Sequence, residues 1–106
     1  VRPPLEFYFD YSCPYAYLGA SNVRALAAHM GRELRMMPML LGGVFRANGT
    51  PQNLMNVLSP QKAAHNLADM QRWARLFEVP LSIPNTHPMR TVEALRATLL
   101  TEAPLV

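Results

Sequence analysis

The stretch Leu5-Glu6-Phe7-Tyr8-Phe9-Asp10-Tyr11-Ser12-Cys13-Pro14 runs from a short apolar and aromatic segment straight into a Cys-Pro pair. Residues 5–9 are rich in strand formers and too short for a helix, which predicts a buried strand. Pro14 suits the first position of a helix, where its missing N–H costs nothing. Val23, Leu26, Ala27 and Met30 then recur at helical spacing until Gly31, so a helix is predicted over about 14–30, with Cys13 at or near its N-cap.

Working outward, residues 34–41 form a second apolar run interrupted by Pro38, which predicts a strand at a sheet edge or with a local irregularity. Strand, helix and strand make a βαβ unit with parallel strands and a right-handed crossover. Residues 42–58, with three glycines and Pro51, read as a long loop. Ser59-Pro60 opens a second helix, with Ala63, Leu67, Met70, Ala74 and Phe77 on one face to about Glu78. A proline-rich connection to Thr86 follows, then a third helix from about Pro88 to Glu102. The predicted class is α/β.

The 106 residues fit one small domain, and with 50% apolar and 16% charged residues the chain is foldable rather than disordered. The net charge of +3 comes from scattered single Lys and Arg residues, so no nucleic-acid face is expected. A mild positive balance suits an anionic small molecule. Neither a signal peptide nor a membrane-length apolar run is visible, so no membrane partner is expected and the expected compartment is the cytoplasm.

Cys13 is the single cysteine, so no internal disulfide forms. By residue type alone a free cysteine reads as a small buried hydrophobe. Its place at a helix N-terminus, where free N–H groups favour a thiolate, instead makes it the candidate catalytic residue. Tyr11, Tyr15 and Tyr17 surround it; their hydroxyls either orient a ligand or leave the rings as packing for the first helical turn. Arg46 carries the fork that matches a carboxylate, though single solvated arginines are common. His29, His65 and His87 lie too far apart in sequence for a metal site, and no metal is expected. His65 is expected on the exposed side of its helix, Trp73 in the helical core, and Met36, Met37 and Met39 as core filler.

The stretch Phe7-Tyr8-Phe9-Asp10-Tyr11-Ser12-Cys13-Pro14-Tyr15-Ala16-Tyr17-Leu18 resembles the opening of 2-hydroxychromene-2-carboxylate isomerases, which belong with kappa-class glutathione transferases in the DsbA-like thioredoxin superfamily. The resemblance continues in Pro38-Met39-Leu40-Leu41-Gly42-Gly43-Val44-Phe45-Arg46, in Asp69-Met70-Gln71-Arg72-Trp73-Ala74, in Val79-Pro80 and in Asn85-Thr86 with Ala94-Leu95-Arg96.

It implies a thioredoxin-like βαβ start over 1–45 and a loop with a helical insertion over 46–106. It implies glutathione as cofactor, held around Cys13, Pro14, Tyr15 and Thr50, and an aromatic carboxylate substrate met by Arg46 and Tyr11. The implied activity is isomerisation through the glutathione thiolate, with thiol–disulfide exchange or glutathione transfer at Cys13 as the alternative. Relatives are commonly dimers, so a homodimer is expected.

Three departures stand out. The family's usual residue at position 13 is serine, and the second cysteine of the Cys-x-x-Cys redox members is replaced by Ala16. Arg46 stands for a usual lysine, and Thr50 for a usual asparagine. The implied second half of the thioredoxin domain, with its cis-proline loop and further strands, is absent from these 106 residues. The chain is therefore expected to be part of a longer protein or to assemble with another chain, since a two-stranded start is rarely stable alone.

Overall fold

The computed structural model describes residues 2–101. β1 (Leu5–Phe9), α1 (Pro14–His29) and β2 (Leu34–Pro38) form the expected βαβ unit, and β1 pairs β2 in parallel with Phe7 beside Met36 and Phe9 beside Pro38. The fold is thus a parallel βαβ unit followed by helices, as the α/β expectation has it.

β1 is half-buried rather than buried on both faces. Phe9 is buried, whereas Tyr8 on the alternate face is 58% exposed. Side chains alternate across a strand, and only one face of this two-stranded sheet is well covered. On the covered face a Cβ at Gly19 of α1 would lie 3.1 Å from the Phe7 ring. Glycine there lets the helix settle closely on the sheet.

β2 ends at Pro38 rather than at position 41. The backbone then turns into a helix absent from the sequence-based expectation: α2 (Leu41–Ala47) occupies the first part of what read as a loop, and a 3₁₀ turn (Leu54–Asn56) a later part. Gly42 and Gly43 disfavour a helix by propensity. What offsets this is a distant group: the buried Asp10 carboxylate accepts the Leu41 N–H at 2.9 Å, satisfying a first-turn donor of α2.

α3 (Pro60–Leu76) begins as expected, with Ser59 Oγ accepting the Lys62 N–H at 3.2 Å. Met70 and Ala74 pack with Leu18 of α1, and Phe77, Val79, Leu81 and Ile83 close over them. His65 is exposed as expected. Trp73 is not in the core: it is 43% exposed, with its ring 5.4 Å from that of Phe77. Met36, Met37 and Met39 are only partly buried. α4 (Val92–Thr98) is shorter than expected, because residues 84–91 run as an irregular segment that turns across the start of α1. The expected helix end at Glu102 lies outside the described residues.

Three helices end in one manner. Gly31, Gly49 and Glu78 take positive φ of 64°, 70° and 57° directly after α1, α2 and α3. The following N–H reaches back five residues in each case: Arg32 to Ala27 O (2.9 Å), Thr50 to Phe45 O (2.7 Å) and Val79 to Ala74 O (3.0 Å). These are Schellman closures. Glycine makes this turn without a steric penalty; Glu78 makes it with one.

Candidate functional site

Cys13 is the N-cap of α1, with extended backbone (φ −134°, ψ 109°) and no side-chain capping bond. Its carbonyl accepts the first helical N–H, from Tyr17, at 3.1 Å. The thiol is half-buried. It lies where two clefts meet, one of ≈ 810 Å³ and one of ≈ 460 Å³, and lines both.

The larger cleft opens between the start of α1, α2, the 3₁₀ turn, the middle of α3 and the segment before α4. Its wall includes Cys13, Pro14, Tyr15 and Arg46 of the residues expected from sequence. Arg46 comes from the last turn of α2 rather than from a loop. Arg90 adds a second guanidinium to the same wall, paired with Glu93 through Nε contacts of 3.0 and 3.2 Å. Arg90 and Glu93 hold each other charged: the hydrogen bond between them raises the arginine and lowers the carboxyl. Two cations beside apolar walls suit an anionic organic ligand.

Tyr15 donates to Asp69 Oδ2 of α3 at 2.8 Å. Burial, that hydrogen bond and the nearby negative charge of Asp69 push its phenol above the ordinary value. Tyr15 is therefore a neutral phenol whose proton already has an acceptor. The Tyr17 hydroxyl donates to Pro80 O. Both hydroxyls tie the start of α1 to neighbouring elements, Tyr15 to α3 and Tyr17 to the segment after it.

Two expected site residues fall elsewhere. The Thr98 hydroxyl donates to Ala94 O at 2.8 Å, so in the 2.6 Å contact between Tyr11 and Thr98 the tyrosine is the donor. Tyr11 borders only the smaller cleft, and its hydroxyl is committed to α4. Thr50 borders neither cleft; its backbone closes the end of α2.

Other residues were not singled out by the sequence. Asp10 is 4% exposed and accepts from Ser12 N–H (3.1 Å), Thr91 Oγ1 (2.6 Å) and Leu41 N–H (2.9 Å). One carboxylate thus ties the end of β1 to the starts of α2 and α4. Ser12 Oγ accepts the Met89 N–H at 2.9 Å, which ties the segment before α4 to the residue preceding Cys13. His87 consequently borders both clefts, as Cys13 does. Asn53 borders the larger cleft but turns its side-chain oxygen to Met55 N–H, 3.2 Å away. Among the described residues no group of three or more His, Cys, Asp or Glu side chains could hold a metal. No helix among them is long and apolar enough to cross a membrane.

A parallel βαβ unit with a cysteine capping its helix, followed by helices that wall a cleft over that cysteine, defines a thioredoxin-like domain of the DsbA type. The model of the DSBA-like thioredoxin domain matches residues 4–104, and the chain belongs to that family. Among curated proteins it is 33% identical over 88 residues to a 2-hydroxychromene-2-carboxylate isomerase of Pseudomonas sp. (strain C18), covering 81% of this chain and 40% of that protein. It is 29% identical over 83 residues to glutathione S-transferase kappa 1 of Caenorhabditis elegans, covering 77% of this chain and 35% of that protein. A second isomerase, from Sphingobium xenophagum, is 32% identical over 82 residues, 76% of this chain and 40% of that protein. The chain therefore spans well under half the length of these relatives. No solved structure gives a significant match.

Proposed function

We propose that the protein is a glutathione-dependent isomerase of the 2-hydroxychromene-2-carboxylate isomerase type. Glutathione sits with its sulfur at Cys13 and Pro14 on the mouth of α1, beside Tyr15. The glutathione thiolate adds to a conjugated carbon of an aromatic carboxylate substrate, the resulting single bond rotates, and elimination returns the thiolate. No net oxidation occurs. Arg46 holds the substrate carboxylate. The observation that carries the reading is that Cys13 and Arg46 line the same cleft. The similarity to isomerases and kappa transferases supports it.

A second reading has Cys13 itself react, as in a glutathione transferase or thiol–disulfide oxidoreductase. The observation favouring it is the sulfur at this position, half-buried and without a capping bond. Incubation with reduced and with oxidised glutathione, followed by intact mass and Cys13 alkylation, separates the two. Reversible protection of an unmodified Cys13 supports the isomerase; a stable glutathione adduct supports the redox reading. If glutathione neither binds nor reacts, both fail.

A further inference from the structure

One substrate carboxylate occupies Arg46, and the larger cleft carries a second guanidinium that this reading leaves without a ligand group. Arg46 and Arg90 are the two permanent cations on its lining. The one carboxylate on the same lining, Asp10, is buried and already accepts three hydrogen bonds, so it answers neither cation. Among the described residues Arg46 has no ion-pair partner. Leu40, Phe45, Leu54 and Ile83 make the wall around the cations largely apolar.

The backbones that carry the two cations are fixed to each other. Asp10 accepts the Leu41 N–H at 2.9 Å and the Thr91 hydroxyl at 2.6 Å. Leu41 opens the helix that carries Arg46, five residues further on and about 7.5 Å along its axis. Thr91 is the immediate neighbour of Arg90. One buried carboxylate therefore sets the spacing of both elements. The Arg90 fork is only partly used. Glu93 takes Nε at 3.0 and 3.2 Å and Nη2 at 3.0 Å, which orients the guanidinium plane. Among the described residues Nη1 takes no partner. A guanidinium has five N–H donors, so the end formed by Nη1 and the second Nη2 N–H stays open to another carboxylate. The side chain is 71% exposed, and a ligand reaches it without displacing any packed group.

We infer that Arg90 is a second carboxylate subsite of the larger cleft, so that the cleft holds one carboxylate at Arg46 and another at Arg90. The inference rests on the reading of Arg46 as the partner of the substrate carboxylate. Two sources supply the second group: glutathione, which carries a glycine and a γ-glutamyl carboxylate, or a second acid group on the aromatic substrate. A monocarboxylate bound alone leaves Arg90 unused. Glu93 keeps the guanidinium oriented before the ligand arrives, which reduces the ordering cost of binding.

The experiment is isothermal titration of the wild type, Arg90→Gln and Glu93→Gln with glutathione, its diethyl ester, terephthalate and benzoate. Arg90→Gln is expected to weaken glutathione or terephthalate by about tenfold or more, the loss of one charge-assisted hydrogen bond. Benzoate and the diethyl ester are expected to bind wild type and Arg90→Gln equally. A loss confined to glutathione assigns the second carboxylate to glutathione; a loss confined to terephthalate assigns it to the substrate. Glu93→Gln keeps the cation, and its amide oxygen still accepts from Nε, so it is expected to bind as the wild type does. A merely structural pair would instead weaken binding equally in both variants. That result overturns the subsite, as does unchanged affinity for glutathione and terephthalate in Arg90→Gln, an equal loss for benzoate or the diester, or no binding of either dicarboxylate to the wild type. The two readings fail separately. Glutathione that does not bind the wild type sinks the glutathione reading, and terephthalate still decides Arg90. Glutathione that binds wild type and Arg90→Gln alike, with terephthalate also unchanged, removes the subsite and leaves the glutathione reading standing.

Discussion

The Thr91 hydroxyl donates to the buried Asp10 carboxylate across 2.6 Å, joining the N-cap of α4 to the end of β1. The same carboxylate accepts two backbone N–H groups, so it is the knot from which the walls of the larger cleft hang.

Removing that knot is expected to cost more than removing one strand of it. Thr91→Val leaves Asp10 two of its three donors and should destabilise by about 1–3 kcal/mol. Asp10→Ala strands the Ser12 and Leu41 N–H groups as well as the Thr91 hydroxyl and should cost about 3–5 kcal/mol. Urea unfolding followed by far-ultraviolet circular dichroism measures both. Equal losses in the two variants would contradict the shared role.

Glu78 turns the end of α3 at φ 57°, the conformation that Gly31 and Gly49 adopt after α1 and α2. Glu78→Gly is therefore expected to raise stability by about 0.5–1 kcal/mol, because the Cβ penalty disappears while the Schellman bonds remain. A thermal melt checks the sign. Gly31→Ala, the opposite exchange at the equivalent position, should lower the melting temperature.

Gly19 faces the Phe7 ring, with only 3.1 Å available to a Cβ. Gly19→Val should push α1 off β1 and destabilise by about 1–3 kcal/mol. The expected signs are a lower melting temperature and faster exchange of the β1 amides. Unchanged β1 protection would contradict the close packing.

Tyr15 gives the structure a pH dependence at the alkaline end. Its phenol titrates above the ordinary 10 in the folded chain, chiefly through burial and the bond to Asp69. A raised folded value means that the proton is held more tightly in the native state. The stabilisation is therefore complete below the unfolded value and is lost as pH rises through the folded one. Because the side chain is partly exposed, Tyr15→Phe should lower stability by only about 0.5 kcal/mol near neutral pH. The difference between the two proteins should vanish above the tyrosine titration. Stability measured at pH 7 to 11 would show the two curves converging.

Arg46→Gln should weaken binding of a carboxylate ligand by about tenfold or more, since a charge-assisted hydrogen bond contributes about 1.5–3 kcal/mol. Arg46→Lys should recover part of it. Isothermal titration with an aromatic carboxylate measures both. Equal affinity in Arg46→Gln and wild type would remove Arg46 from the site.

The βαβ start was legible because its signals are local. Pro14 and Gly31 bracket α1, Ser59 and Pro60 open α3, and strand composition marks residues 5–9. What sequence reading missed depends on residues distant along the chain. Gly42 and Gly43 argue for a loop where α2 forms; the support of that helix is a carboxylate 31 residues away. Trp73 sits at helical spacing from Leu76 and Phe77, but the core formed by Leu18, Met70 and Ala74 closes without it. Cys13, Pro14, Tyr15 and Arg46 line the larger cleft, and motif and position single them out in the sequence. Thr50 was read by its side chain, whereas the structure uses its backbone. Asp10, Ser12 and His87 are not marked as cleft residues by the sequence, because only the fold brings residues 87–91 back to the start of α1.

The Asp10 knot also bears on the order of events during synthesis. Its bonds span 31 residues to Leu41 and 81 to Thr91. With a ribosome adding about 5–20 residues per second, Cys13 emerges several seconds before its far wall exists. Over that interval the Asp10 carboxylate holds the start of α2 but lacks its Thr91 donor, so the cleft is assembled from one side first.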